Sequence, residues 1–561
     1  MIALGRTGGW IALCGVAVAG CTGAISGLPS DRTGTGNTGG GNTGGSGGTP
    51  TLTVACPTPA LGAPMLRLLT RGEMVNTLND IFPSVAGKWT STLPAATVSS
   101  FGFDNDAHSA VGSQFAQLML DTATSLATAV TGTALSGILP CSQSSPNHAC
   151  AETFLNQYGK RLFRRPITTA EHDRYLAFFD ASLAKSNFTS ALKWMLIGLV
   201  QSPNAIYRSE IGTVASDHTR HLTAYEEATA LAYTFGGSTP SADLLAQADS
   251  GDLGDLRAVA RNLQSTDAGK QAFMRFFQAY LGYTSVTSIQ KPNITAQNNV
   301  PGFNEVAADM IKETEAFITD VVVNKGGGLK ELLTAPTTNP SAKLASYYGF
   351  PAPPSDFASL MRPAGRGYGI LAQGAFLATH ASSDSSSPTK RGLFPFYRLF
   401  CQPTRTPPPN VPQIGQPMPG VMTTRQRYEV AHAPASTSCG SQCHRLWDPI
   451  GFGFEHFDEG GRFRDTESGL PINSAASVPD PNNPDNALFS FAGEEDLVSG
   501  LANLPVANQC VAAYLATFAF GSGEACIGSS QVANLQAGTV GLAEAFVQLA
   551  NEPHFTKRNS N

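Results

Sequence analysis

The sequence predicts a mainly α protein, a multi-helix body followed by a smaller, loop-rich C-terminal region. Three observations predict it. A Thr is followed three residues on by Glu at Thr70…Glu73, Thr168…Glu171 and Thr223…Glu226, the pattern in which hydroxyl and carboxylate cap each other's orphan amides at a helix start. Each pair precedes apolar residues at three- and four-residue spacing, which lines one helix face. No alternating pattern is long enough for a sheet core, and proline-rich stretches from Pro351 and Pro403 punctuate the later chain.

In chain order, Arg6 is the only charge ahead of an apolar stretch from Trp10 to Ala19. That stretch is too short to span a bilayer but suits a signal-peptide core. It ends Val18-Ala19-Gly20-Cys21, which resembles the lipobox of bacterial lipoproteins. The resemblance implies removal of residues 1–20 and acylation of Cys21, whose lipid would hold the chain on a membrane. An ordinary cleaved signal peptide with an incidental cysteine is the plainer alternative. Thr22, in place of an aspartate, favours the outer over the inner membrane of the cell envelope, facing the periplasm or the surface. Residues 21–55 include a Gly/Thr/Asn tract with nothing apolar to repay ordering, hence a flexible tether.

Beyond the tether the sequence divides into helical modules at 56–140, 141–215 and 216–352, a Pro-rich and Cys/Cys-His module at 353–475, and a helical module at 476–561. Besides the three capped helices, helices are expected at 111–129, 150–163, 189–202, 254–280, 303–324, 366–379, 420–432, 506–519 and 530–550. Net charge is -6 with 14% charged residues and no basic stripe, which argues against a nucleic-acid partner. Of ten cysteines, Cys14 leaves with the signal and Cys21 takes lipid. An oxidising compartment favours disulfides among the rest, with Cys141–Cys150 and Cys510–Cys526 the local pairings expected first. Hydrolase and nucleotide signatures (Gly-x-Ser-x-Gly, His-Glu-x-x-His, a Walker loop) are absent. An enzyme would need a site built from scattered residues, and acidic spacings such as Glu305…Asp309…Glu313 suggest a solvated face.

The densest chemistry is Cys439-Gly440-Ser441-Gln442-Cys443-His444, followed by Arg445-Leu446-Trp447-Asp448-Pro449-Ile450-Gly451-Phe452. Two thiols beside an imidazole resemble the attachment site of c-type haem. There the thiols form thioethers and the histidine is the proximal iron ligand. The usual motif has two residues between the cysteines; this one has three. Positions four apart still share a helix face, and Gly440 can relax the backbone. A structural disulfide is an open alternative, as is a zinc site completed by His432 or His456. With iron bound, His432, Met418, Met422 and His456 are candidates for the opposite axial position. Asp448-Pro449 and Gly451 suggest a turn. Phe452, Phe454, Phe457 and Phe463 wall a haem edge or fill a core. Arg462 and Arg464 pair locally with Glu455, Asp458 and Asp465, or meet a haem propionate. Lys390-Arg391 either serve the same end or cap a loop.

Longer stretches resemble a multi-module bacterial family, common in planctomycetes and myxobacteria, whose modules are domains of unknown function. The stretches are Leu68–Pro83, Tyr158–Tyr175 with Leu196–Glu210, His221–Ala248 continuing to about Phe350, Arg366–Phe394, Ser438–Asp465 and roughly 485–551. In that family the cysteine motif often has the haem spacing and is followed by the same Asp-Pro-Ile-Gly-Phe run. The resemblance therefore implies a cytochrome-c-like C-terminal region, haem c as cofactor, Cys439 and Cys443 as anchors and His444 as proximal ligand, with His432 a distal candidate. One-electron transfer with a redox partner protein is the function implied. A disulfide-stabilised binding or scaffold lipoprotein, or an oxidative enzyme acting on an extracellular polymer, are the other classes left open.

Overall fold

The computed structural model describes residues 61–94, 98–99, 102–107, 109–132, 134–139, 141, 147–403, 422–432, 440–521 and 539–560. The expected signal, Cys21 and its tether lie outside the described residues, as do Met418, Cys439 and Cys526. The protein is mainly α, and its buried side chains gather into two cores.

The first core is closed by a two-stranded ribbon. β1 (Met65–Leu68) and β2 (Tyr207–Glu210) pair antiparallel, Met65 opposite Glu210, so the start and end of this body lie side by side. Between them run α1 (Arg71–Ile81), α2 (Ser113–Val130), α3 (His148–Phe163), α4 (Thr169–Leu183) and α5 (Phe188–Val200). The expected capping boxes form at Thr70 and Thr168. Leu78, Leu126, Phe154, Leu192 and Leu196 are fully buried where these helices meet. The expected disulfide Cys141–Cys150 ties the preceding loop to the first turn of α3.

The second core takes in α6 (Ala224–Gly236), capped at Thr223 as expected, α7 (Asp267–Leu281), α8 (Phe303–Ile318), α9 (Gly374–Thr379), α10 (Pro388–Phe394), α11 (Arg445–Phe452) and α12 (Pro505–Phe520). Several expectations need correction. The helix expected at 254–280 is two, Leu256–Ser265 and α7. Thr266 caps the second through Gly269 N at 3.0 Å, a cap that ends one helix to start another. The helix expected at 366–379 shrinks to α9 behind a 3-10 turn. Gly367 and Gly369 upstream have φ of 81° and 62°, a region helices exclude. The helix expected at 303–324 is α-helical to Ile318, then winds as a π turn over Thr319–Asn324.

The acidic spacing on α8 is solvated only at its start, at the exposed Glu305. Glu313 is fully buried, accepting from Thr338 Oγ1 at 2.6 Å and Tyr348 Oη at 2.9 Å. Asp309 accepts from Ser341 Oγ at 2.6 Å. Cys510 pairs with Cys401, 109 positions away, and not with Cys526. This bridge pins the chain after α10 to α12. Strands Ala476–Asp480 and Asn483–Phe491 form an antiparallel hairpin with two register shifts. Prolines at 479, 481 and 484 interrupt the alternation that would have announced it.

Candidate functional site

From Gly440 on, the Cys/Cys-His motif runs along a helix. Residues Gly440–His444 wind as a π turn that continues directly into α11. Asp448, Pro449 and Gly451 are therefore helical, which corrects the turn expected there. Two glycines seat this helix. A Cβ on Gly392 of α10 would lie 1.8 Å from the Trp447 carbonyl, and one on Gly451 would lie 1.9 Å from the Pro388 carbonyl. Only bare backbone lets α10 and α11 cross this closely.

That crossing builds the surroundings of His444. The imidazole is buried, and its Nδ1 stands 3.0 Å from Asp448 Oδ2, one helical turn on. The other oxygen of Asp448 accepts from Thr389 Oγ1 of α10 at 2.6 Å. The carboxylate is thus fixed from across the helix pair, and the ring is fixed by the carboxylate. Trp447 packs edge-on to His444 at 5.8 Å between ring centroids, and against Phe396 and Tyr397 at 5.4 and 6.3 Å. Its indole Nε1 is buried and has no acceptor among the described residues. Cys443 is half-buried and packs on the second core.

The chain after the motif is held by a polar clamp. Arg391, fully buried, donates to the carbonyls of Phe454, Phe457, Leu377 and Asp458 at 2.6–3.2 Å. Lys390 donates to the Ala381 carbonyl at 3.1 Å. Arg462 bonds Asp458 at 2.8 Å, and Arg464 bonds Glu467 at 3.0 Å. These basic groups serve the loop. Phe452, Phe454 and Phe457 are buried in the core, and Phe463 lies under the Arg366 guanidinium at 4.2 Å and stacks on His456. Burial pushes the Glu455 carboxyl up to about 7, against the pull of Arg391 and Arg464.

The remaining sequence-derived ligands are spread out. His456 donates from Nδ1 to the Arg464 carbonyl at 2.9 Å, and Met422 is exposed. His432 ends the helix Thr424–His432, and its side chain lies outside the description, as does Cys439. No group of three His, Cys, Asp or Glu side chains among the described residues is arranged to hold a metal ion. Sequence reasoning missed Asp448 as the partner of His444, although the four-residue spacing was there to read. It also missed Trp447 and Arg398, both isolated polar groups inside apolar runs.

Residues 367–467, which contain the whole motif and its clamp, match PSCyt3, a protein of unknown function (DUF1588). Residues 222–350 match PSD4, a protein of unknown function (DUF1592), and residues 150–210 match PSD5, a protein of unknown function (DUF1595). No curated protein and no solved structure matches the chain.

Proposed function

We propose, starting from a chain that belongs to the multi-module family built from these three domains of unknown function, that it carries a c-type haem and passes single electrons at the cell envelope. The observation that carries this reading is the orientation of His444. Asp448 accepts at Nδ1 and so favours the tautomer with its lone pair on Nε2, as the outer-shell partner of a metal-bound histidine does.

Two further features fit a haem at this place. A π turn takes up one more residue per turn than an α turn. The winding over Gly440–His444 leads into His444 with that wider turn, which suits a motif with three residues between its cysteines. The orphaned indole N–H of Trp447, one turn beyond His444, is a donor suited to a porphyrin carboxylate. In this reading Cys439 and Cys443 anchor the macrocycle, His444 is the proximal ligand and His432 the distal candidate. The haem supplies one-electron chemistry at its iron. Asp448 holds the imidazole in one orientation and raises its basicity, while Thr389 and the α10–α11 crossing hold Asp448. Lipid on Cys21 and the tether would keep the body at the outer membrane within reach of a redox partner protein. No helix of the described residues is long and apolar enough to cross a membrane.

A second reading, a non-redox scaffold lipoprotein, draws on the disulfides Cys141–Cys150 and Cys401–Cys510, in which cysteines serve the fold alone. The absorption spectrum of the full chain, produced with cytochrome maturation machinery, separates the two. The haem reading expects a low-spin Soret band that His444→Ala abolishes. A spectrum without haem, or one that His444→Ala leaves unchanged, contradicts it.

A further inference from the structure

Of the aromatic rings among the described residues, two stand in water. Phe178 of α4 is 45% exposed and Trp194 of α5 is 52% exposed. These helices form a hairpin in the first core, joined through residues 184–187. Its register is set where Tyr175 Oη donates to the Gly198 carbonyl at 3.5 Å, and a Cβ on Gly198 would lie 3.7 Å from the Tyr175 ring. Phe178 stands one turn past Tyr175, and Trp194 one turn before Gly198. Both rings therefore sit at one level of the hairpin and flank the same seam. Phe179 and Met195, the next residue in each helix, are fully buried and fill the core. The two exposed rings are not needed to close it.

The charges around these rings are sorted by sign. Arg174, Phe178 and Ala181 follow one another at spacings that make one stripe of α4, and all three are exposed. Lys185 is exposed just past the helix end, and Lys193 precedes Trp194 on α5, a helix with no acidic residue. The exposed acids of α4 lie on its other side. Asp173 and Asp180 stand at offsets from Phe178 that do not share a helix face, and each is met by a histidine, His172 at 3.2 Å and His148 at 2.8 Å. Glu171, at the helix start, is buried and held by Arg165. The exposed stripe thus carries two aromatic rings and three cations, without a carboxylate.

We propose that this face of the α4–α5 hairpin lies on the headgroups of an anionic lipid membrane. The inference rests on the lipid anchor in the reading above and is independent of haem. Trp and Phe rings gain by entering the acyl boundary, where the indole N–H still meets polar headgroups. Arg174, Lys185 and Lys193 supply the attraction to anionic lipid. A stable protein interface buries roughly 800 Å² on each partner, far more than two half-exposed rings offer. A tethered body needs much less. A flexible chain of the length from Cys21 to Leu61 spans on the order of 35 Å, which keeps the body over the membrane at an effective concentration of about a millimolar. A weak face docks under that condition.

The test reads Trp194 in the matured full chain, reconstituted into vesicles whose acyl chains carry bromine, a quencher of indoles at the acyl boundary. Wild type is compared with Trp194→Phe, with Phe178→Ser and with the triple variant Arg174→Gln, Lys185→Gln, Lys193→Gln. In vesicles of phosphatidylglycerol and phosphatidylethanolamine, wild-type emission is expected to be quenched. Trp194→Phe should lose that quenching, which assigns it to this ring rather than to the other tryptophans. Phe178→Ser should cut the ratio of docked to free body about tenfold. The triple variant should lose the preference for anionic over zwitterionic vesicles, as should wild type at about 0.5 M salt. Thermal midpoints should hardly move, because the altered side chains lie at the surface. Absent quenching in wild type, quenching that persists in Trp194→Phe, or quenching that neither Phe178→Ser nor the triple variant reduces overturns the inference. The mass of the N-terminal peptide shows separately whether Cys21 carries lipid, so a missing anchor and an undocked hairpin are told apart.

Discussion

Two buried clusters of arginine differ in what answers their charge. At the seam between the two cores, Glu210 is met by Arg67 at 3.3 Å, by Arg208 at 3.1 Å and by Arg558. Burial alone would raise the Glu210 carboxyl, but the three guanidiniums outweigh it and hold it down at about 2. Arg164 nearby donates to the carbonyls of Ala205, Asn204 and Tyr207. This cluster is internally answered, and its consequence is mechanical: β2 and the C-terminal Arg558 are fastened to β1. Among the described residues the Arg398 cation meets the ring faces of Tyr280 and Tyr514. An isolated buried ion costs several kcal/mol, while a desolvated cation–π contact recovers on the order of 2. The first cluster is answered within the fold, and Arg398 is not answered by a carboxylate among the described residues. A buried charge is informative about function when its accounting fails to close inside the chain.

The largest expected effect lies in the answered cluster. Glu210→Ala leaves three buried arginines facing one another, and removing one partner of a buried ion pair costs about 3–5 kcal/mol. Urea or thermal unfolding should register that loss; a change below about 1 kcal/mol would show that the seam is wetter or looser than its geometry implies. A smaller effect is expected at the helix crossing that carries the site. Gly392→Ala must displace the Trp447 carbonyl, which its Cβ would approach to 1.8 Å. Overpacking of this kind costs about 1–3 kcal/mol, with the added sign that the environment of Trp447 fluorescence shifts. An unchanged stability and spectrum would mean that α10 and α11 separate freely.

The smallest effect is a slope. Burial raises the Glu455 carboxyl to about 7, above an unfolded value near 4.3. The folded state therefore binds that proton more tightly. Its contribution is fully present below the unfolded value and is lost as pH rises through about 7. Glu494, pushed up by burial to about 8, adds a slope of the same sign that extends further. Glu455→Gln should flatten the decline of stability between about pH 4 and 7 while leaving the part due to Glu494. A variant with the parent's pH profile would show that Glu455 is solvated in the folded protein.

What could be read from the sequence was local. The Thr-x-x-Glu boxes at Thr70, Thr168 and Thr223 placed three helix starts, because the signal and the structure it makes span four residues. The Cys141–Cys150 bridge was legible for the same reason. The candidate site was legible in its residues but not in its support. His444 and Asp448 stand four apart, yet Pro449 made the segment look like a turn, since proline inside a helix normally breaks it. Cys401–Cys510 and the four carbonyls around Arg391 join residues tens of positions apart, and no short pattern encodes them. Arg398 sits in Pro-Phe-Tyr-Arg-Leu-Phe, where a lone cation looks like the wet side of a helix; only the packing reveals that it has none.

The most direct measurement is the mass of the proteolytic peptide spanning Cys439 to His444, taken from full-length protein matured in cells competent for haem attachment. An increment of one haem, carried through thioethers on both sulfurs, is what the site built on His444 and Asp448 predicts. A peptide from such cells whose two sulfurs are oxidised to each other, or bare, would contradict it and leave a non-redox scaffold as the better description.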